Sequence, residues 1–451
     1  MKEFNLSVLP EFEKISARVL EAPKLKYARQ EPVCVTKGVW QAEKFLHPSS
    51  LKDNEWTILN LDAKTSIREL QNGFCKRFQE CAAKVNMSLG KMLFPICDLS
   101  RSSKINDEVL NFLARKKNQG IRLVMVVIPN IYAYSLVKKS SELIIGGIVT
   151  QCIKLRTIEN LTDTTITNIL LKINSKLNGI NHLFYQRPRC LDTPSMLVGA
   201  DVTHPSPDAK NTPSIAAVVS SQSNTFQYDV ELRLQPPKEE IILDLENIML
   251  KQLELYHTNV GEIPDKIIFY RDGVGEGHFP QVMHREISAI KRAISKLGNG
   301  TYKIPITFLV VQKRHHIRLF PTNKANSDDR NFNVQAGTIV DTDITHPRHI
   351  DFYLVSHASI QGTARPTKYR CICNEIGMTE DEIEQLTYYL CHLFARCTRS
   401  VSYPAPTYYA HLAAYRARAW IHNEHINLDD LQEEERKKLT PKMKNSPMFF
   451  V

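Results

Sequence analysis

The chain has 451 residues, enough for two or three domains with full hydrophobic cores. Its 58 Lys and Arg against 48 Asp and Glu give a formal net charge of +10, which favours a polyanionic partner without identifying one. The ten cysteines form no CxxC pair, no apolar run approaches the ~20 residues that span a bilayer, and the N-terminus has no signal-peptide pattern. These features exclude a zinc-ribbon or membrane-spanning protein, and we expect a soluble cytoplasmic protein with reduced thiols.

Residues 1–54 show little regular pattern and contain much proline and lysine, so we expect a linker that wraps over another part of the protein. Alternating strand and helix patterns begin at residue 56. Because strands that alternate with helices of this length pair in parallel, they predict a doubly wound α/β unit. The predicted strands are 56–61, 92–99 and 121–128, and the predicted helices are 66–85, 107–117 and about 134–145.

The pattern changes from about residue 191, where three predicted strands follow one another at 196–202, 214–220 and 227–233. A helix at 238–256, a strand ending in Asp272, a helix at 279–297 and a strand at 306–312 are predicted next. Three consecutive strands before a helix, the first of them ending in Asp, indicate an RNase H-like fold. The charged run at 429–438 predicts a solvated helix face and not a binding site.

Two of these strands end in an aspartate, Asp201 and Asp272. An apolar strand has no reason to bury an unpaired Asp, because desolvating a charge costs several kcal/mol. Two strand ends that converge on one divalent cation indicate metal-dependent phosphoryl chemistry. The third ligand is expected from Glu239 or Glu240 at a predicted helix start, and the residues alone do not choose between them. Acids at helix starts commonly only complement the dipole, and Asp272-Gly273 is also an ordinary turn.

A second group of residues suits a nucleotide 5′ phosphate, which needs several cationic and hydrogen-bonding donors converging on one point. Tyr134 and Lys138 share one helix face at a spacing of four residues, and Lys172 and Lys176 share another. Each pair alone is typical of solvated surface, but an aromatic face beside phosphate donors suits a nucleotide terminus. We expect Gln151 and Cys152 to end a short loop between these two helices.

Several motifs resemble the PIWI domain of the Argonaute family, and the insect small-interfering-RNA class of that family is nearest. The resemblance covers nearly the whole chain and its motifs are highly specific. It is carried by Gly199-Ala200-Asp201-Val202-Thr203-His204-Pro205, Tyr270-Arg271-Asp272-Gly273-Val274, Gln312-Lys313-Arg314-His315-His316, Ser356-His357-Ala358-Ser359-Ile360-Gln361-Gly362-Thr363, Ser402-Tyr403-Pro404-Ala405-Pro406-Thr407-Tyr408-Tyr409-Ala410-His411 and the terminal Pro447-Met448-Phe449-Phe450-Val451.

The resemblance implies a linker at 1–54, a doubly wound, Rossmann-like MID domain at 55–186 and an RNase H-like PIWI domain at 187–451. It also implies that the N-terminal and PAZ domains of a complete Argonaute are missing, so we expect a truncated form or a short isoform. In such a form the guide 3′ end has no pocket, whereas 5′ anchoring and the catalytic site are retained.

The implied activity is small-RNA-guided cleavage of complementary RNA in RNA silencing. The family's catalytic tetrad falls on Asp201, Glu240, Asp272 and His411, so the resemblance selects Glu240 over Glu239. These four residues are expected to hold two Mg²⁺ ions, with Mn²⁺ able to substitute, and the products carry a 5′ phosphate and a 3′ hydroxyl.

The resemblance also implies a set of contacts to the guide RNA. Residues 129–133 correspond to the loop that reads the first base through its backbone. If a small alignment gap near this loop is moved, Lys139 takes the place of Lys138 in the 5′-phosphate pocket. His315 and His316 are expected to pack and not to bind ligands. The implied contacts to the guide 5′ phosphate are Tyr134, Lys138, Gln151, Cys152, Lys172, Lys176, Arg416 and Val451. Those to the guide backbone are Lys313, Arg314, His357, Arg365, Ser402 and Tyr408.

The expected partners are a 5′-phosphorylated guide RNA, a complementary target RNA and silencing-complex proteins on the PIWI domain, with no membrane. Two alternatives stay open at this point. The first is a non-catalytic guide-binding module that silences through partner proteins. The second is an RNase H-like transposase or DNA nuclease, which shares the carboxylates but has no use for a 5′-phosphate pocket.

Overall fold

The linker is tied to both halves of the chain in the computed structural model, which describes residues 2–209, 211–297, 300–444 and 446–451. Strand β1 (Arg18–Val19) pairs antiparallel with residues 338–339, at the edge of a large sheet. Strand β2 (Leu25–Lys26) pairs with residues 183–184. A 3-10 turn spans Lys2–Phe4, and residues 3–14 are exposed.

The first folded unit is a four-stranded parallel sheet in the order β4-β3-β5-β6 with helices around it. All residues of β3 and β5 are buried, as expected for parallel strands covered on both faces. The π-helical turns Leu70–Cys75 and Ser140–Ile145 continue the helices beside them. The elements are β3 (Trp56–Asn60), α1 (Ile67–Glu69), α2 (Lys76–Lys84), β4 (Cys97–Asp98), α3 (Ile105–Asn118), β5 (Leu123–Val127), α4 (Ile131–Lys139), β6 (Val149–Ile153), α5 (Leu155–Glu159), α6 (Asp163–Lys176) and β7 (Leu183–Phe184).

Three predictions for this unit are wrong in detail. The strand at 92–99 shrinks to β4, since Pro95 has no N–H to donate to the ladder. Helix α4 begins at Ile131, because the Asn130 side chain accepts the Ala133 N–H and caps it, so residues 131–133 form a helical turn and not a loop. Residues 151 and 152 lie within strand β6 and not in a loop, because residues 149–153 pair in parallel with β5.

The second unit is a nine-stranded sheet in the order β1-β13-β14-β15-β12-β11-β8-β9-β10. Strands β8, β11 and β12 run parallel, while β9 and β10 pair antiparallel at one side. Arg271 of β11 is in register with Ala200 of β8. The residues that follow them, Asp272 and Asp201, are therefore neighbours. The strands are β8 (Ser195–Thr203), β9 (Ser214–Ser221), β10 (Tyr228–Gln235), β11 (Lys266–Asp272), β12 (Ile306–Gln312), β13 (Thr338–Val340), β14 (Asp351–Val355) and β15 (Thr367–Asn374).

Helices cover both faces of the large sheet, one face packing against α7 and α9 and the other against α11. The π-helical turn Met283–Ile287 joins α8 to α9. Helix α12 has no buried residue, which confirms the predicted solvated helix. The helices are α7 (Leu245–Val260), α8 (Phe279–Val282), α9 (Ser288–Leu297), α10 (Glu380–Leu390), α11 (Ala405–Trp420) and α12 (Leu431–Lys438), with 3-10 turns at Arg189–Leu191, Glu276–His278 and Lys324–Asn326.

The predicted helix at 238–256 begins seven residues late, at Leu245. Lys238 has a positive φ of 66°, and Pro236 and Pro237 before it carry no N–H, so the chain turns there before it can enter a helix. Glu240 therefore lies on an irregular connection and not at a helix N-terminus.

All ten cysteines are free thiols, as the sequence predicts. Among the described residues, no helix is both long and apolar enough to cross a bilayer.

Candidate active site and phosphate-binding pocket

The four predicted catalytic residues line one cleft of about 790 Å³, which we call the carboxylate cleft. Asp201 and Asp272 come from the adjacent ends of β8 and β11, Glu240 from the connection before α7, and His411 from α11. His411 Nδ1 lies 3.1 Å from Asp201 Oδ2. A Cβ on Gly273 would lie 3.5 Å from Glu240 Oε1 and 4.0 Å from Asp201 Oδ1, so these two carboxylates converge. The fold thus brings the predicted tetrad together.

The two aspartates form a buried pair of like charges. Burial and the negative charge of Asp201 raise the pKa of Asp272 to about 7. The hydrogen bond to Asp201 raises the pKa of His411, whose side chain is 61% exposed and faces the cleft. Both shifts arise because negative charge is concentrated at the floor of the cleft, where a proton or another cation is favoured.

Glu240 is held by two side chains that sequence reasoning did not single out. His204 Nε2 lies 2.8 Å from Glu240 Oε2, and Arg271 Nη2 donates to Glu240 Oε1 at 3.0 Å. His204 Nδ1 lies 2.8 Å from Ser214 Oγ, an arrangement in which Nδ1 accepts from the hydroxyl and Nε2 donates to the carboxylate. Glu239 does not line the cleft, since its Oε1 accepts the Ile241 N–H instead. The structure therefore places Glu240, and not Glu239, with the aspartates.

Arg271 is fully buried and joins the cleft to the helix behind it. Its guanidinium donates to both oxygens of Glu286 at 3.3 Å and to the carbonyl oxygens of Asp272 and Glu240. Glu286 Oε1 also accepts the Ile242 N–H at 3.0 Å. The connection that carries Glu240 is thus held at Glu240 itself and at Ile242.

The donor set of three carboxylates and one imidazole is rich in the oxygen ligands that Mg²⁺ prefers. The repulsion within the aspartate pair is the condition that a bound cation relieves. Across the described ranges, no three carboxylate, imidazole or thiol side chains already stand as a metal-binding group. In kind, the donor set that lines this cleft fits a divalent cation.

A second cluster, the cationic pocket, consists of Tyr134, Lys138, Gln151, Lys176 and Arg416 around the buried acid Glu142. Lys138 Nζ donates to the Thr150 carbonyl at 2.8 Å, and Lys176 Nζ donates to Gln151 Oε1 at 2.9 Å. Arg416 Nε donates to the Tyr134 hydroxyl at 3.1 Å. Residues of α4, β6, α6 and α11 therefore meet at one point, as the resemblance implies.

Burial makes this pocket electrostatically costly. It lowers the pKa of Lys138 and of Lys176, and for both lysines the neighbouring cationic charges lower it further. The pKa of Lys172 falls to about 8 because of burial and the charge of Arg396, a cation that sequence reasoning missed. A dianion is the ligand that such a cluster favours.

Glu142 is the acid that partly balances these cations, and sequence reasoning missed it. Its carboxylate accepts from Arg416 Nη1 and from Trp420 Nε1, the latter at 2.9 Å, and lies 3.5 Å from Lys138 Nζ. The only signal in the sequence is its i,i+4 spacing from Lys138, which is usually a surface pair. Lys139 points away and pairs with Glu424, so the geometry places Lys138 in the pocket.

The remaining predicted residues lie around these two sites. Cys152 is close enough for the charges of Lys138 and Lys176 to act on it. The carbonyls of Phe449 and Phe450 accept hydrogen bonds from Arg416, so the buried Val451 lies beside the pocket. Arg314 and Tyr408 line the carboxylate cleft, where Lys313 donates to Ser402. Burial and the charge of Arg365 lower the pKa of Lys313. Burial and the charge of Lys313 lower the pKa of His357.

One packing prediction fails for the adjacent histidines. His315 packs edge-on against Tyr353, and its Nε2 lies 2.9 Å from the Pro366 carbonyl, as predicted. His316 is exposed instead, since it lies four residues beyond the end of β12.

Comparisons with known proteins show the family and the fold of this chain. The Piwi domain model matches residues 123–422. Protein argonaute-2 of Drosophila melanogaster is 39% identical over the whole of this chain, which spans 37% of that relative's length. The structure of Kluyveromyces polysporus Argonaute with a guide RNA superposes with a TM-score of 0.83 at 26% identity, covering 96% of this chain and 53% of that one. The C-terminal lobe of a budding yeast Argonaute gives a TM-score of 0.81 at 24% identity over 96% and 95% of the two chains.

The raised pKa of Asp272 predicts that Asp272→Asn stabilises the folded protein by an amount that depends on pH. The folded protein holds the Asp272 proton more tightly than the unfolded chain does. The wild-type protein therefore loses stability as pH rises from about 4 to about 7. At pH 8 we expect Asp272→Asn to be more stable than the wild type by about 2–4 kcal/mol, since each pKa unit is worth ~1.4 kcal/mol. The gain should vanish near pH 4. Thermal unfolding across pH 4–8 measures it, with Asp208→Asn, at an exposed aspartate, as the control, and a gain independent of pH would contradict it.

Proposed function

Since this chain belongs to the Argonaute family, as a doubly wound unit followed by an RNase H-like PIWI domain, we propose that it is a small-RNA-guided endoribonuclease. In this proposal residues 55–186 bind the guide 5′ phosphate and residues 187–451 cleave complementary target RNA in RNA silencing. The ten free thiols support a reducing compartment, and we propose the cytoplasm.

The observation that carries the proposal is the convergence of Asp201, Glu240, Asp272 and His411 in one cleft. In-line hydrolysis of a phosphodiester develops charge on the attacking and on the leaving oxygen. A cleft that is negative at its floor and carries Lys313 and Arg314 on its wall suits a cation and an RNA backbone together. The guide-RNA complex of the Kluyveromyces relative supports RNA as the strand that this chain binds.

Asp201, Asp272, Glu240 and His411 would hold Mg²⁺, or Mn²⁺ in its place. When bound, such ions activate the attacking water and stabilise the leaving 3′ oxygen. Arg271 positions both the Asp272 backbone and the Glu240 connection, and His204 holds the Glu240 carboxylate within reach of the cleft. Attack by water breaks the P–O3′ bond and leaves a 5′ phosphate and a 3′ hydroxyl.

The cationic pocket is proposed to anchor the guide 5′ phosphate. Lys138, Lys176 and Arg416 are preorganised donors, and the Tyr134 ring offers a face for the first base. Base pairing then selects the target, and the fixed separation of pocket and cleft sets where the target is cut.

We expect the chain loaded with a 5′-phosphorylated guide to cut a matched RNA at one fixed distance from the guide 5′ end in Mg²⁺. Single-turnover cleavage measures the rate. Asp272→Ala and Glu240→Gln should lower it at least ~100-fold, because each removes a proposed ligand of the ions that stabilise the transition state. Glu239→Gln is the matched control, since Glu239 lies beside Glu240 but outside the cleft.

The control also decides between two readings. If Glu239→Gln lost cleavage and Glu240→Gln kept it, the assignment of Glu240 would be wrong. If the wild type bound its guide tightly and never cut, the chain would be a non-catalytic guide-binding module that silences through partner proteins on its PIWI domain.

The cationic pocket predicts a preference for a guide 5′ phosphate over a 5′ hydroxyl. We expect at least ~10-fold tighter binding, since each charge-assisted hydrogen bond contributes about 1.5–3 kcal/mol. Lys138→Met and Lys176→Met keep the buried alkyl stems and should reduce this preference, whereas Lys139→Met should keep it. Equilibrium binding of labelled guides checks this. Loss of the preference in Lys139→Met alone would show that Lys139, and not Lys138, binds the phosphate.

A divalent cation should stabilise the wild type more than Asp272→Asn. Binding to the folded state alone adds RT ln(1 + [L]/Kd), about 2.7 kcal/mol at a hundredfold excess over Kd. Thermal unfolding with Mg²⁺, Mn²⁺ or no metal at constant ionic strength measures the shift without any cleavage. Equal shifts for the two proteins would show that the metal binds elsewhere.

A further inference from the structure

Tyr403 is a cleft residue to which the proposed function so far gives no role. It lines the carboxylate cleft, and it lies between Ser402, which accepts a hydrogen bond from Lys313, and Pro404, the residue that precedes α11. Helix α11 carries His411, eight residues after Tyr403, so Tyr403 directly precedes the helix that supplies one member of the proposed tetrad.

The Tyr403 ring is held in place by its neighbours. Lys313 Nζ lies over the ring face, 4.5 Å from its centroid. The Tyr408 ring meets it edge-on, with 5.8 Å between centroids and an interplanar angle of 77°. A ring packed in this way aims its hydroxyl in one direction.

That hydroxyl is available for a ligand. Over residues 2–209, 211–297, 300–444 and 446–451, Tyr403 Oη has no hydrogen-bond partner, although the side chain is only partly exposed. Burial, together with the negative charges of Asp272 and Asp201, raises the pKa of the phenol. The group therefore stays protonated and is a hydrogen-bond donor in the cleft that both aspartates line.

A donor at this place is suited to an oxygen of the strand being cut. The RNA backbone presents two kinds of oxygen here, on the phosphate and on the 2′ hydroxyl. We propose that the Tyr403 hydroxyl donates a hydrogen bond to a target-RNA oxygen at or next to the scissile phosphate, and so helps to hold that strand over the carboxylates. The inference deepens the proposed function and rests on it.

The test compares the wild type with Tyr403→Phe, which keeps the ring and its contacts to Lys313 and Tyr408. We expect the single-turnover cleavage rate, and the lifetime of the guide-bound target in Ca²⁺, each to fall about fivefold, the size of one neutral hydrogen bond. Tyr185→Phe, at an exposed tyrosine outside the cleft, should leave both unchanged.

Modified targets show which oxygen is bound. If it is the 2′ hydroxyl, a 2′-deoxy nucleotide at the cleavage site slows the wild type and removes the difference between wild type and Tyr403→Phe. If it is a phosphate oxygen, that difference persists with the deoxy target and changes with one phosphorothioate diastereomer. A merely structural tyrosine would give the same loss with every target, and that result would overturn the inference.

The two measurements separate this inference from the proposed function. Cleavage by the wild type with an unchanged rate and lifetime in Tyr403→Phe would overturn the role of Tyr403 alone. Target binding without cleavage would overturn the proposed nuclease activity. The target lifetimes of wild type and Tyr403→Phe in Ca²⁺ would still test the role of Tyr403. Failure of the guide-loaded wild type to bind a matched target would overturn both.

Discussion

The candidate active site depends on one buried guanidinium. Arg271 is fully buried and contacts Glu286, the Asp272 carbonyl, and both the carbonyl and the carboxylate of Glu240. Burying a charge is tolerable only when its partners replace the lost water, and removing one partner of such a pair costs about 3–5 kcal/mol. Arg271 therefore holds three separate pieces of chain in one arrangement: the end of β11, the connection before α7, and the π-helical turn at Met283–Ile287 that supplies Glu286. An irregular helical turn at this point agrees with the tendency of π-bulges to occur at functional sites.

Helix α11 couples the cleft to the cationic pocket. His411 and Arg416 are five residues apart, which turns their side chains by roughly 140° and separates them by roughly 7.5 Å along the axis. His411 consequently faces the open cleft, while Arg416 is buried against Glu142 and the last residues of the chain. Trp420, one turn further, donates to the same Glu142 carboxylate. A single rigid helix thus fixes the distance between the proposed phosphate anchor and the proposed cutting site, so a mutation that tilts α11 would disturb both.

The sequence was most informative where one physical effect dominated. The apolar runs of β8, β9 and β12 gave their limits within one residue, because a strand buried on both faces has no other pattern. Local backbone effects were harder to predict: a left-handed Lys238 after two prolines delayed α7, and an Asn130 side chain started α4 early. Within the sites, Asp201 and Asp272 were accessible to reasoning because a carboxylate at the end of an apolar strand needs an explanation. Glu142, His204 and Arg396 were not, since their roles depend on partners more than thirty residues away or on burial that no local pattern reports.

The two sites share one electrostatic principle with opposite sign. In the cleft, two buried carboxylates repel each other and Asp272 retains its proton to unusually high pH. In the pocket, buried lysines and Arg416 repel one another and the lysines release their protons more readily than in water. Each cluster is costly in the protein alone, since His411 and Glu142 balance the charges of the two sites only in part. In each, the proposed ligand carries the opposite charge, a divalent cation in one and a phosphate dianion in the other. In this proposal, relief of an existing repulsion would favour binding in addition to new contacts. The stability that such sites cost the free protein would then be recovered on binding of guide and metal.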